Sequence, residues 1–180
     1  VTLFGNWGRG FNPPEMSQLF TAGPTICNPD LKPEYLTNYE VGIRGGMGYR
    51  INYQISAFSM DFTNQVVADE VTGVYANIGD TEHNGFETAI SMMPGRNLLV
   101  YLNHSYLKTS FVDHPHYEGN CLRKTPENQF GTGLRLTLFK NLTWNLDYKW
   151  FDEYFMDNEE VNKYAGYSIV NTRLRFEWNS

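Results

Sequence analysis

The residues that most often carry chemistry are few and scattered in this sequence. Its four histidines are His83, His104, His114 and His116. No serine, histidine and carboxylate set stands out by its spacing, so the sequence predicts no catalytic residue and no enzyme. His114 and His116, with Cys121 nearby, are ligand types that a metal site uses, but a solvated loop explains them better. The acids at 157–160 lack the patterned oxygen spacing of a calcium loop, so we predict no metal and no cofactor.

The two cysteines, Cys27 and Cys121, fall in stretches without strand patterning. A disulfide between them is one interpretation if the compartment is oxidising, and two free thiols is the other. The sequence leaves this choice open.

Composition favours strands over helices. Aromatic residues make up 16% of the chain and there are 16 glycines, as in turn-rich β proteins. There is no apolar run of about 18 residues and no basic-then-apolar leader, which excludes a helical membrane protein but leaves a membrane β-barrel open. The net charge is −6, from 14 basic and 20 acidic residues without a basic cluster, which argues against nucleic acid as a partner.

Eight stretches alternate apolar and polar residues, which predicts eight strands. The clearest has Leu142, Trp144, Leu146, Tyr148 and Trp150 on one face and polar residues on the other. The predicted strands are 1–8, 35–44, 49–62, a strand ending at 85–92, 98–108, 128–139, 142–150 and 167–178.

The predicted connections alternate in length. Short turns are expected at 45–48, 94–97 and 140–141, and long loops at 10–34, near 64–80, at 110–127 and at 152–165. All long loops then lie at one end of an up-and-down antiparallel sheet, which is typical of outer-membrane barrels. The polar face suits a water-filled interior, and Tyr and Trp near the strand ends suit interfacial girdles. This pattern favours a membrane barrel over a soluble β-sheet enzyme or lectin.

Six stretches in order carry a family resemblance. They are GRGFNPP at 8–14, NPDLKPE at 28–34, NYEVGIR at 38–44, FSMDFTNQ at 58–65, the pair NIG and HNGFE between 77 and 87, and GYSIVN at 166–171. Together they resemble the C-terminal half of the β-barrel domain of TonB-dependent outer-membrane receptors, over the whole chain.

The resemblance implies a transmembrane β-barrel of 22 strands, of which residues 1–180 would supply about eight. The plug domain and the final strands of the barrel would lie outside this sequence. The implied function is uptake of a ferric siderophore or similar metal chelate, energised by the TonB complex, in a monomeric receptor of the bacterial outer membrane that contacts lipid. A self-contained small barrel, acting as an adhesin or structural protein, is the alternative if the first and last strands pair.

The resemblance also suggests roles for individual residues. Ligand contacts in the outer loops are expected at Arg9, Phe11, Phe20, Tyr75, Tyr117 and Tyr154. Charges expected to face the interior or the plug are Glu40, Arg44, Arg50, Glu87, Arg135, Asp147, Lys149, Arg173 and Arg175. These charges have two interpretations, attraction of an anionic chelate or ion pairing with the plug, and we favour the second.

Overall fold

The computed structural model describes residues 1–20, 28–48, 50–68, 74–114 and 116–178. The elements follow in chain order as β1 (Thr2–Asn12), α1 (Met16–Leu19), β2 (Glu34–Met47), β3 (Ile51–Thr63), β4 (Val66–Ala68), β5 (Tyr75–Asn77), β6 (Asp80–Gly95), β7 (Leu98–Asp113), β8 (Asn128–Phe139), β9 (Leu142–Phe151), β10 (Tyr154–Phe155), β11 (Lys163–Tyr164) and β12 (Tyr167–Phe176). The eight long strands form one antiparallel sheet, and the two short pairs form separate hairpins. The predicted all-β architecture of about eight strands is confirmed.

The sheet is an open meander. Its strand order is β1-β2-β3-β6-β7-β8-β9-β12, so each long strand pairs with its neighbours in sequence. Among the described residues, β1 and β12 are the two edges and do not pair with each other. This arrangement contradicts the small self-contained barrel, which requires that pairing.

The strand register sorts the side chains onto two faces, because directly paired residues point to the same side of a sheet. We call one side the apolar face. It carries Trp7, Tyr39, Val41, Ile55, Phe86, Ile90, Leu102, Leu134, Leu146, Tyr148, Val170 and Leu174. The opposite side is the polar face, with Gln54, Ser56, Glu87, Asn103, Ser105, Gln129, Lys149 and Asn171 in matching positions.

The apolar face is not the core of a soluble domain. Among the described residues only Leu31 and Phe111 are buried hydrophobic side chains, whereas Val41 and Leu174 are each 65% exposed. Leu142, Trp144 and Leu146 are half-buried and Tyr148 is exposed. An uncovered apolar face of this size contradicts the soluble enzyme or lectin and fits a face in contact with lipid. No helix in the described part of the chain is long and apolar enough to cross a membrane.

The strands extend further than the alternation predicts. β1 continues past Gly8 to Asn12, whose side chain donates to the Glu34 carboxylate at 3.0 Å, and Pro13 follows the end of the strand. β2 runs through most of the predicted turn at 45–48, and β7 ends at Asp113 instead of Lys108. Hydrophobic alternation is lost where a strand leaves the apolar layer, although its backbone ladder continues.

The connection lengths agree with the prediction. Short connections at 48–50, 96–97 and 140–141 join the strand ends at one end of the sheet. The first loop (13–33), second loop (64–79), third loop (114–127) and fourth loop (152–166) connect strand ends at the other. The predicted start of the third strand, Tyr49, lies outside the described residues. Residue patterns did not predict α1 or the hairpins within the second and fourth loops, because each of these elements is only two to four residues long.

Candidate ligand mouth and polar wall

Two asparagines join the first and second loops. Asn77 on β5 accepts the Lys32 N–H at 2.9 Å through its side-chain oxygen, and its amide donates to the carbonyls of Lys32 at 3.0 Å and Asn64 at 2.7 Å. Asn28 adds a bond to the Tyr75 carbonyl at 2.9 Å. We call this set of contacts the first clasp.

Glu34 ties the first clasp to the sheet. One carboxylate oxygen accepts the Val66 N–H at 2.6 Å, and the other accepts the side-chain amide of Asn12 at 3.0 Å. This single side chain therefore connects the end of β1 and the start of β4 at the point where β2 begins. The first clasp is consequently anchored on three strands.

The third and fourth loops form a second clasp. Asn158 of the fourth loop accepts two hydrogen bonds from the third loop. Its backbone carbonyl accepts the Asn120 side-chain amide at 2.9 Å, and its side-chain oxygen accepts the Arg123 N–H at 3.3 Å. Glu160 accepts the Cys121 N–H at 2.6 Å, and the Lys124 N–H donates to the Phe155 carbonyl at 2.7 Å. Segments more than 30 residues apart in sequence are thus held together by backbone and side-chain bonds.

An aromatic cluster supports the second clasp. The rings of His114 and Tyr117 stack with centroids 4.5 Å apart, and the buried Phe111 meets His114 edge-on at 5.2 Å. The Tyr117 hydroxyl donates to Glu159 at 2.7 Å, which links the cluster to the fourth loop. His114 Nδ1 accepts the N–H groups of His116 at 3.1 Å and Tyr117 at 3.2 Å, so this nitrogen must be unprotonated in the folded turn.

Two groups in these loops have shifted pKa values that agree with their bonds. Burial and then the Glu160 carboxylate raise the pKa of the Cys121 thiol, which makes it a poor metal ligand. The pKa of Asp157 is lowered, chiefly by the Val161 N–H that its carboxylate accepts at 2.9 Å. Asp157 bonds to Val161 and Asn162 within the fourth loop, whereas Glu159 and Glu160 bond to the third loop and hold the two loops together. Within the described ranges no group of three or more His, Cys, Asp or Glu residues could hold a metal ion.

The predicted disulfide stays a prediction. The Cys121 thiol is free in this structure, but Cys27 lies outside the described residues.

The six predicted ligand contacts lie on several segments, each with its own neighbours. Arg9 and Phe11 are on β1 at positions that share the apolar face, with the Arg9 guanidinium 5.5 Å from the centre of the Tyr35 ring. Their side chains therefore leave β1 away from the polar face, which disfavours a role inside the mouth. Phe20 directly follows α1 and is 56% exposed.

The other three predicted contacts lie in or beside the clasps. Tyr75 is on β5 beside the first clasp, and Tyr117 stacks in the second. Tyr154 on β10 stacks with Tyr164 at 5.3 Å. Sequence reasoning singled out these aromatic side chains but did not predict that Asn77, Glu34 and Asn158 join the segments near them.

Eight of the nine predicted interior charges share the polar face. The exception is Arg50, which lies in the turn at 48–50. The rest occupy matched positions, with Glu87 opposite Ser56 and Ser105, Asp147 opposite Gly133 and Asn171, and Arg135 and Arg173 on either side of Asn145. The register places eight of these charges on one face of the sheet, and that this face is the interior of a barrel stays a prediction.

The polar face has a concavity of about 560 Å³ between β7 and β12. Its charged lining comprises Arg135, Asp147, Arg173, Arg175 and Glu177. Arg135 Nε donates to the Asn145 side chain at 3.0 Å, Arg175 pairs with Glu177 at 2.7 Å, and the Tyr101 hydroxyl bonds to Asp147. Three arginines face two carboxylates, so this part of the wall keeps one excess positive charge.

Comparison with known proteins identifies the fold. The chain matches the family described as TonB dependent receptor-like, beta-barrel, over residues 1–180. It is similar to the ferric yersiniabactin uptake receptor of Yersinia pestis, with a TM-score of 0.77 and 18% identity over 97% of this chain and 27% of that one. It is also similar to the ferric-catecholate import receptor of K12 E. coli, with a TM-score of 0.72 and 17% identity over 98% of this chain and 26% of that one. For the copper transporter OprC, the TM-score is 0.74 and the identity is 15%, over 93% of this chain and 27% of that one.

The chain therefore spans about a quarter of the length of these structures. The family match confirms the resemblance inferred from the six motifs, and receptors of this kind are transporters, not enzymes, as the sequence predicts. The chain belongs to the TonB-dependent receptor-like β-barrel family of the bacterial outer membrane.

Proposed function

We propose that this chain is part of an outer-membrane receptor that imports a ferric siderophore or a similar metal chelate with energy from the TonB complex. The observation that carries the proposal is the two-faced open sheet with every long loop at one end, braced by two clasps. Such a sheet suits the wall of a large barrel, and the braced loops suit an outer mouth. The structural relatives named above include receptors for ferric chelates and one copper transporter.

The open edges support the further proposal that the barrel is larger than this chain. A sheet edge exposes unpaired N–H and C=O groups, which a bilayer does not tolerate. β1 and β12 must then pair with strands outside residues 1–180, in a barrel of about 22 strands whose interior holds a plug domain. The eight charges of the polar face would pair with that plug, and the excess positive charge of the concavity favours acidic plug residues there.

Uptake by the full-length receptor tests this proposal. A strain lacking the receptor is complemented with it and supplied with ferric siderophores, ferric citrate, haem, cobalamin or copper chelates in turn. We expect growth or label uptake with at least one chelate, and loss of that response when TonB is deleted. A response to none of them, or one that persists without TonB, would contradict the proposal.

A further inference from the structure

Four aromatic rings form a continuous series at the base of the fourth loop. The rings of Phe151 and Tyr167 stack with their centroids 4.8 Å apart, and those of Tyr154 and Tyr164 stack at 5.3 Å. Tyr164 meets Tyr167 edge-on at 6.3 Å, which joins the two stacked pairs. We call these four residues the aromatic ladder. Because the contacts are stacked and edge-on, the geometries that aromatic rings prefer, the four side chains form one surface.

The aromatic ladder begins on the polar face of the sheet. Phe151 is paired with Gln129 and with Tyr167, and Gln129 belongs to the polar face. Phe151 is the last residue of β9, which begins at Leu142, so at about 3.4 Å per residue and a strand tilt of about 40° it lies about 23 Å above the short-turn end. Aromatic side chains at that height usually form a girdle that faces lipid. Phe151 and Tyr167 lie on the opposite face from the apolar one, so a girdle does not explain them.

The aromatic ladder is accessible. Tyr164 and Tyr167 are 49% and 40% exposed, and Phe151 and Tyr154 are half-buried. Within the described part of the chain, no hydrogen bond joins the hydroxyls of its three tyrosines to a partner. A further strand beside β12 would extend the sheet in its own plane and would leave the rings uncovered. The aromatic ladder therefore offers both ring faces and O–H donors to a ligand in the mouth.

The charge of the loops limits which ligand this surface can hold. By sequence the four loops carry eleven acidic and four basic residues, a net charge of −7 with the histidines neutral. Beside the aromatic ladder, the ammonium group of Lys163 is already paired with Glu153 at 2.6 Å. The Asp152 carboxylate accepts only neutral donors there, the Asn128 amide and the Glu153 N–H. Because a cleft of one sign repels a ligand of the same sign, a polyanionic chelate is disfavoured at this mouth.

We propose that the aromatic ladder holds an aryl ring of the chelate and that the chelate is neutral or cationic. This inference rests on the proposed import of a metal chelate and narrows its substrate to one chemical class. The aryl ring stacks on the exposed faces of Tyr164 and Tyr167, and tyrosine hydroxyls donate to oxygen atoms of the ligand. A ferric tris-catecholate has the rings, but its anionic oxygens outnumber the charge of iron and make it a polyanion. A ferric trihydroxamate is neutral but has no aryl ring.

Binding of three defined chelates by the full-length receptor tests this inference. Quenching of tryptophan fluorescence measures Kd for a neutral ferric chelate that carries a salicyl ring, for a neutral ferric trihydroxamate and for a ferric tris-catecholate. The salicyl chelate should bind about tenfold tighter than the trihydroxamate, because it alone of the two stacks on the rings. It should also bind tighter than the tris-catecholate, and added salt should narrow that second difference by screening the loop charges.

Substitutions of single tyrosines locate the binding surface. Tyr164→Leu and Tyr167→Leu should each raise Kd for the salicyl chelate about two- to tenfold and leave Kd for the trihydroxamate unchanged. Tyr148→Leu is the matched control, because it removes a tyrosine from the same strand as Phe151 but on the apolar face, and both Kd values should stay at wild type. Tyr167→Phe keeps the ring and should retain most of the affinity. Gel mobility of unheated samples monitors the folding of each variant.

Three results would overturn the inference. Equal or tighter binding of the trihydroxamate or the tris-catecholate by the wild-type receptor would show that a neutral aryl ligand is not selected, while leaving the proposed function intact. Wild-type affinity for the salicyl chelate in both leucine variants at 164 and 167 would show that the aromatic ladder does not hold the ring. Binding of none of the three chelates would also overturn it, and the uptake experiment would then decide the proposed function separately.

Discussion

The assignment of the apolar face to lipid can be tested with two neighbouring residues on one strand. Leu102 lies on the apolar face opposite Ile90 and Thr132, and Asn103 lies on the polar face between Ala89 and Gly131. Leu102 comes four residues after Leu98, which places it about 10 Å above the short-turn end and within about 3 Å of the middle of a 25 Å band. The two side chains thus share a depth and differ in the medium they meet.

Arginine at these two positions should have very different costs. At the bilayer midplane a lipid-facing arginine costs about 2–4 kcal/mol of folding free energy, so Leu102→Arg should shift the folding equilibrium by about 30- to 900-fold. Asn103 lines a groove of about 340 Å³ together with the small residues Ala89 and Gly131 and with Glu87. Asn103→Arg therefore has room and a carboxylate nearby, and its cost should stay within about 1 kcal/mol.

Guanidinium titration of the full-length receptor in lipid vesicles measures both costs. Tryptophan fluorescence reports unfolding, and gel mobility of unheated samples reports the folded barrel. Equal destabilisation by the two arginines, or a larger cost for Asn103→Arg, would refute the assignment of the two faces.

Three further predictions concern the loops. The pKa of His114 is lowered from 6.5, first by burial and second by His116, so the second clasp should be strongest above pH 6.5 and weaken as the pH falls below it. Amide exchange, corrected for intrinsic rates, should show this weakening in the wild-type protein. The variant His114→Asn should not show it, because asparagine keeps an acceptor that does not titrate. Asn77→Leu removes three hydrogen bonds worth about 0.5–1.5 kcal/mol each. The rate of protease cleavage in the first loop should therefore rise, while the melting temperature of the barrel should not change. An unaltered cleavage rate would contradict the first clasp. Gly79→Ala should lower the melting temperature, because φ is +96° and the new Cβ would overlap the Asp113 carbonyl, whereas Gly95→Ala enters open space and should not.

Alternation predicted the sheet because the two media impose it on every membrane-facing position. Leu142, Leu146 and Tyr148 share one face in the structure as they do in the sequence, since a slip of one residue would turn all of them away from lipid. Alternation does not explain His104, an ionisable side chain on the apolar face. Its ring lies 3.3 Å from the Asn128 side chain, which in turn donates to Asp152, and no sequence spacing connects these three residues.

The clasps could not be predicted for a different reason. Asn77 and Lys32 are 45 residues apart, and Asn120 and Asn158 are 38 apart, so only the folded strands bring them together. Judged by residue type alone, an asparagine in a loop predicts only a turn. Arg9 and Phe11 illustrate the converse case, because their residue types suit ligand contact but the register of β1 with β2 places them on the apolar face.

If this chain is part of a chelate receptor, as proposed, the fold of its sheet does not determine which ligand the receptor takes. Proteins named for a ferric siderophore and for copper share this sheet at TM-scores of 0.77 and 0.74, although their identities to this chain are only 18% and 15%. Because this fold occurs in proteins named for different cargoes, we propose that the loops joined by the two clasps contribute to ligand choice. Each clasp joins neighbouring loops through side chains such as Asn77 and Asn158, so a change in one loop alters the acceptors available to its partner. We therefore expect a change in ligand specificity to require substitutions in both loops of a clasp more often than a substitution of one residue.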